Sequence, residues 1–95
     1  MQEEQDWSKF NLGTPAVYRI KIRGYLDVDW SNRLGGLTIK HIITASGTTI
    51  TTLQGKMVDQ AALFGVLNSL YGLGFPILSV ECTPEHHPSD SQKTI

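Results

Sequence analysis

The chain has 95 residues, with 8 Lys and Arg against 9 Asp and Glu, a formal net charge of −1 and 40% hydrophobic residues. That length supports one domain, and the near-neutral charge argues against a protein built throughout for polyanions. A single cysteine excludes an internal disulfide, no apolar run approaches the ~18 residues of a membrane span, and the acidic, polar N-terminus lacks the features of a signal peptide, so a cytoplasmic location is expected.

Residues 1–15 read as a flexible N-terminal arm, because Trp7, Phe10 and Leu12 follow no sustained period; their side chains are free to dock elsewhere. Residues 16–83 read as a single α+β domain and residues 84–95 as a disordered polar tail. A folded unit of this size buries only about 60% of the surface its unfolded chain exposes, so a partner subunit is a natural supplement.

Residues 16–26 alternate. Tyr18, Ile20 and Ile22 point one way and Arg19, Lys21 and Arg23 the other, the pattern of a half-buried strand with a cationic solvent face. Residues 26–36 break the alternation, and either Asp27 or Asp29 can cap a short helical turn that stops at Gly35 and Gly36. Residues 37–44 resume strand character, with Leu37, Ile39, His41 and Ile43 on one face and Thr38, Lys40, Ile42 and Thr44 on the other. A turn over residues 45–48 and the β-branched residues 49–53 complete a hairpin, and residues 54–57 connect it to a helix.

Asp59 is the natural N-cap of that helix, and Val58 with Leu63 matches a hydrophobic staple. Leu63, Val66, Leu67, Leu70 and Tyr71 recur at helical spacing and make one apolar stripe for the sheet. Gly65 costs the helix about 1 kcal/mol relative to alanine, which suggests the close passage of another backbone. Gly74 and Pro76 stop the helix, and residues 77–82 form the last strand with Leu78, Val80 and Cys82 inward. The expected fold is a small antiparallel or mixed four-stranded sheet, β-β-β-α-β along the chain, with a short helical turn after the first strand and one principal helix on one face.

Groups able to do chemistry are sparse. Asp27 and Asp29 are two residues apart but lack the further oxygen ligands of a calcium loop, and capping explains them better. Gly35 and Gly36 lead into a strand rather than a phosphate-binding helix. His41 reads as a hydrogen-bonded histidine on an apolar face, Cys82 as a packed thiol, and His86 with His87 lacks structural zinc spacing. No catalytic residue, metal site or cofactor is assigned.

An RNA-binding sheet would interleave aromatic side chains with its cations, and this cationic face carries none, so nucleic acid is disfavoured as a partner. The surfaces left for interaction are Trp30, the cations Arg19, Lys21, Arg23 and Lys40, and the helix positions Gly65 and Tyr71.

The chain resembles a family of short, uncharacterised bacterial proteins. The matching residues are Gly24-Tyr25-Leu26-Asp27 with Trp30-Ser31, Gly36-Leu37-Thr38-Ile39, Thr52-Leu53-Gln54-Gly55, Asp59-Gln60-Ala61-Ala62-Leu63 with Gly65 and Leu67, and Leu73-Gly74 with Leu78-Ser79-Val80. The resemblance implies a recurring standalone domain and no particular activity. Residues 73–81 also look like the last helix-to-strand step of ferredoxin-like and small-molecule-sensing domains.

The first expectation is therefore a non-catalytic interaction or self-assembly module, partnered by itself or by another protein. The alternative is a regulatory domain binding a small ligand at a subunit interface near Asp27, Asp29, Arg33, Gly35 and Gly36. A small enzyme comes third.

Overall fold

The alternation of the first strand is realised as β1 (Ala16–Arg23) in the computed structural model, which describes residues 7–84. Ala16, Tyr18, Ile20 and Ile22 are buried on one face, while Arg19 and Arg23 are exposed on the other. The strand stops at Arg23 rather than running to residue 26. Gly24 turns the chain with φ 119°, a conformation open to glycine, and a β-carbon there would lie 2.9 Å from the Phe75 ring.

A 3-10 helix (Val28–Leu34) follows, capped by Asp27, whose Oδ1 accepts the amide of Asp29 at 2.8 Å. Gly35, with φ 84°, closes it, and the amide of Gly36 donates to the Ser31 carbonyl at 2.7 Å. β2 (Thr38–Ile43) and β3 (Thr49–Met57) form the expected hairpin. β3, however, runs through Met57 and absorbs residues 54–57, which sequence pattern assigned to a connection. Its full length is needed to pair with β1 from Ala16↔Met57 to Arg23↔Ile50. Gly55 reads as a break, yet within the strand it makes room for Leu37, whose side chain would lie 2.8 Å from a β-carbon there.

The principal helix, α1 (Gln60–Gly72), begins as anticipated with Asp59 Oδ1 accepting the amide of Ala62 at 2.9 Å. It ends in a Schellman motif, in which the amide of Phe75 donates to Leu70 O and that of Gly74, with φ 86°, donates to Tyr71 O. Val58 remains exposed, so it is little covered by the staple position. β4 (Ile77–Pro84) completes the sheet.

The sheet order is β2-β3-β1-β4 and every neighbouring pair is antiparallel. β3 and β4 are both antiparallel to β1, hence parallel to each other. They are joined by α1 and separated by β1, a split β-α-β unit. The core lies between the sheet and α1 and is filled by Tyr18, Ile20, Ile22, Leu37, Leu53 and Leu70 with their buried neighbours. The segment before β1 also reaches it: Phe10 packs against the core, and the Leu12 carbonyl accepts the amide of Gln60 at 2.9 Å. His86 and His87 lie outside the described residues.

A polar tie fixes the turn after β1. The buried Thr51 hydroxyl donates to Gly24 O at 2.6 Å and accepts the amide of Leu26 at 3.2 Å. His41 Nε2 lies 2.6 Å from Leu26 O, and its ring stacks on Tyr25 at 4.2 Å. The tie gives Thr51 and His41 structural employment.

Candidate functional site

The helix does not cover the sheet evenly. Leu63, Val66 and Leu70 face the core, whereas Tyr71, expected in the same stripe, is 80% exposed and Leu67 is only partly buried. At 100° per residue, Ala62, Gly65 and Ser69 fall on one flank of α1 and Phe64, Leu67 and Tyr71 on the other. The first flank lines a groove shared with the 3-10 helix, on the β2 side of the sheet. The second therefore overlooks β4. Gln60 of α1 and Cys82 of β4 both approach the Tyr18 hydroxyl, which puts the start of that flank on the β4 side.

β4 is an edge strand. Register places Val80 beside Ile20 on the helix-covered face, yet Val80 is 42% exposed where Ile20 and Leu53 are fully buried. Leu78, read from the sequence as inward, is 51% exposed, because the register shifts opposite Lys21 and Ile22 and leaves it as a bulge. Alternation identified the strand but could not show that the helix roof stops short of it. The result is four exposed apolar side chains, Phe64, Tyr71, Leu78 and Val80, on the side of a strand edge that no other strand of the described residues pairs.

Among the described residues, no helix covers the opposite sheet face. Arg19, Lys21, Arg23 and Lys40 all lie there, as the alternation indicates, with Thr52 between Lys21 and Lys40 in register. Arg19 meets Glu81 at 3.5 Å, an exposed pair of little energetic weight. Trp30 is half-buried against the core, with the Arg33 guanidinium 5.0 Å from its ring centroid. It anchors the 3-10 helix more than it presents a surface.

Gly65 corrects a sequence expectation. No backbone approaches it, and a β-carbon there would meet nothing within 4 Å. Its lack of a side chain instead widens the groove of about 480 Å³ on the β2-side flank. Of the residues grouped as a ligand site, Arg33 and Gly35 line this groove, whereas Asp27, Asp29 and Gly36 do not. Among the described residues, no group of three or more His, Cys, Asp or Glu is placed to hold a metal ion, and no helix is long and apolar enough to cross a membrane.

The Tyr18 hydroxyl is buried without a partner in good hydrogen-bonding geometry, although Cys82 and Gln60 approach it. Burial pushes its pKa above the usual 10.0, Cys82 pushes it further, and Gln60 pulls part of the way back.

Fold and surface together define a small α+β domain with an off-centre helical roof and one apolar free edge. A family model described as Domain of unknown function (DUF8691) matches residues 17–81, and the chain belongs to that family. No curated protein and no solved structure matches it.

Proposed function

We propose that this protein is a cytoplasmic self-assembly module in which a second copy adds to the β4 edge. One observation carries the reading: Val80 occupies a helix-covered face but keeps 42% of its surface exposed, beside exposed Leu78 and the Phe64 and Tyr71 flank of α1. Edge strands are ordinarily guarded by lysine, proline or short length. β2 contains Lys40, whereas the eight-residue β4 has no Lys or Arg; its charge is Glu81, on the helix-free face, its proline is the last residue, Pro84, and its bulge lies at its start, so the stretch around Val80 carries no such guard. A symmetric antiparallel pair of β4 strands would satisfy both rows of backbone groups. It would also set each copy's helix flank beside the other's.

Sedimentation of the intact protein at micromolar concentrations tests this. The expected mass is twice that of the chain for wild type and that of one chain for Val80→Lys, with unchanged circular dichroism. A strictly monomeric wild type, or a variant that still associates equally well, contradicts the reading.

A further inference from the structure

The β4 edge carries its own register. Successive residues at the end of β1 turn their backbone groups to opposite neighbours: the amide of Arg23 donates to Pro76 O at 3.0 Å on the β4 side, and that of Gly24 donates to Thr49 O at 2.8 Å on the β3 side. By the same alternation Arg19 and Lys21 bond toward β4, so their partners Glu81 and Ser79 point back to β1 and leave the amides and carbonyls of Val80 and Cys82 at the edge. Pro76 and Pro84 lack an amide and bracket Val80 at equal distances along the chain. An antiparallel partner therefore uses the strand most fully when the two-fold axis passes through Val80, which sets Val80 opposite Val80 and Cys82 opposite Leu78 of the other copy.

That axis brings opposite ends of α1 together across the interface. The helix runs antiparallel to β4, because a short turn after Gly72 returns the chain into the strand at Ile77. Tyr71, in the last turn of α1, lies toward the start of β4, and Gln60, in the first, lies toward its end, where Gln60 and Cys82 both approach the Tyr18 hydroxyl. A two-fold axis through Val80 turns the start of one β4 against the end of the other, so Tyr71 of one copy faces Gln60 and Phe64 of the second. With strands about 4.8 Å apart, helices that roof β1 and β3 would have their axes about 19 Å apart across such a pair. Directly packed helices lie about 8–10 Å apart, so long side chains have to bridge this gap. Tyr71 and Phe64 are the exposed aromatic side chains of this flank.

Beside Phe64 the surface has a recess of about 430 Å³, lined by Leu12, Gly13, Asp59, Gln60, Ala61 and Phe64. The segment before β1 supplies one wall, held there by Leu12 O accepting the amide of Gln60 at 2.9 Å and by Phe10 packed against the core. Leu12, Ala61 and Phe64 offer apolar contact while Asp59 and Gln60 offer polar groups, a combination suited to an aromatic ring with a hydroxyl at its tip. Tyr71 is 80% exposed in the single chain and contributes nothing to its own core.

We infer that Tyr71 of each copy seats in this recess of the other, with Val80 on the two-fold axis. The inference rests on the β4 pairing proposed above and adds to it a knob and a socket, each used twice. It also gives the segment before β1 a part in choosing the partner, since Leu12 and Gly13 belong to the socket.

A mixing experiment on the full chain tests whether the contact runs between copies. Tyr71→Ser removes the knob. Gly13→Leu fills the socket at a position where a β-carbon would meet only Asn11 Oδ1, at 3.7 Å, and Ala61→Leu is a second plug on the helix side. Each seated Tyr71 is expected to strengthen association about tenfold, so a knob or plug variant alone, with both seats lost, should associate about a hundredfold more weakly than wild type. A mixture of knob and plug variants keeps one seat, in which Tyr71 of the plugged copy enters the open socket. The mixed pair should form about tenfold more tightly than either variant pairs with itself. Sedimentation with one variant labelled reads this, and circular dichroism matching wild type shows that each variant is folded.

Wild-type association of Tyr71→Ser or of both plug variants, or a mixed pair no tighter than the separate variants, would overturn the inference. Amide exchange keeps it distinct from the assembly itself. A wild type that dimerises with protection along β4 yet is indifferent to Tyr71→Ser sinks the knob and socket alone, whereas a monomeric wild type removes the assembly and the inference with it.

Discussion

Val80 and Ile20 are neighbours in register on the same face of the sheet, yet Ile20 is fully buried and Val80 is 42% exposed. The difference arises because α1 roofs β1 and β3 and leaves β4 outside. Among the described residues, strand β4 thus has a partly uncovered face in addition to an edge that no strand pairs. Apolar burial is worth about 25 cal/mol per Å², so a second copy that covers Val80, Leu78 and the Phe64 and Tyr71 flank has a direct source of stability.

Salt separates this contact from the other candidate surface. Association along β4 should persist or strengthen slightly as salt is raised, because backbone pairing and apolar contact are weakly screened. Association through Arg19, Lys21, Arg23 and Lys40 would weaken steadily. Sedimentation equilibrium across a salt series distinguishes the two.

Thr51→Val should destabilise the monomer fold by about 2 kcal/mol, because it leaves Gly24 O and the amide of Leu26 without their buried hydroxyl partner. Urea denaturation measures the loss. Thr51→Ser, which keeps the hydroxyl, should lose clearly less.

Gly24→Ala should cost roughly 2–3 kcal/mol, combining the positive φ of 119° with a methyl placed 2.9 Å from Phe75. Phe75→Leu in the same chain should recover the steric share and leave the backbone share. The double-mutant cycle in urea therefore yields a favourable coupling; strict additivity would remove Phe75 as the cause.

Tyr18 gives the fold an alkaline limit. Its pKa is raised in the folded protein above the unfolded 10.0, so the folded state keeps its proton longer. The associated stability is fully present below pH 10 and is lost as pH rises from there through the folded value. Tyr18→Phe should flatten that decline and cost little at neutral pH, since the hydroxyl has no well-formed hydrogen bond to lose. Thermal melts of both proteins between neutral and strongly alkaline pH check the sign.

Much of this fold is legible locally. The Tyr18, Ile20, Ile22 alternation gives β1 and both its faces, and Asp27, Gly35, Asp59 and Gly74 mark real termini because each cap uses groups only a few residues away. What escapes sequence depends on distant partners. Gly55 reads as a break until Leu37 is seen to occupy its missing side chain, so β3 appears too short. Val80 reads as core because alternation reports which side a residue faces and carries no information on how far the roof extends, and Leu78 because a bulge, set by the pairing with β1, interrupts the alternation. Gly65 was legible as unusual, but its empty surroundings, and hence its part in the groove, arise only when the 3-10 helix is set beside α1.

Amide hydrogen exchange read strand by strand, at concentrations below and above association, tests the β4 assembly most directly. Pairing of β4 strands predicts that protection rises on concentration for outward amides within Ile77–Pro84 and stays constant in the opposite edge, Thr38–Ile43. Protection that appears at Thr38–Ile43 instead, or a doubled mass with no change in β4, would contradict it.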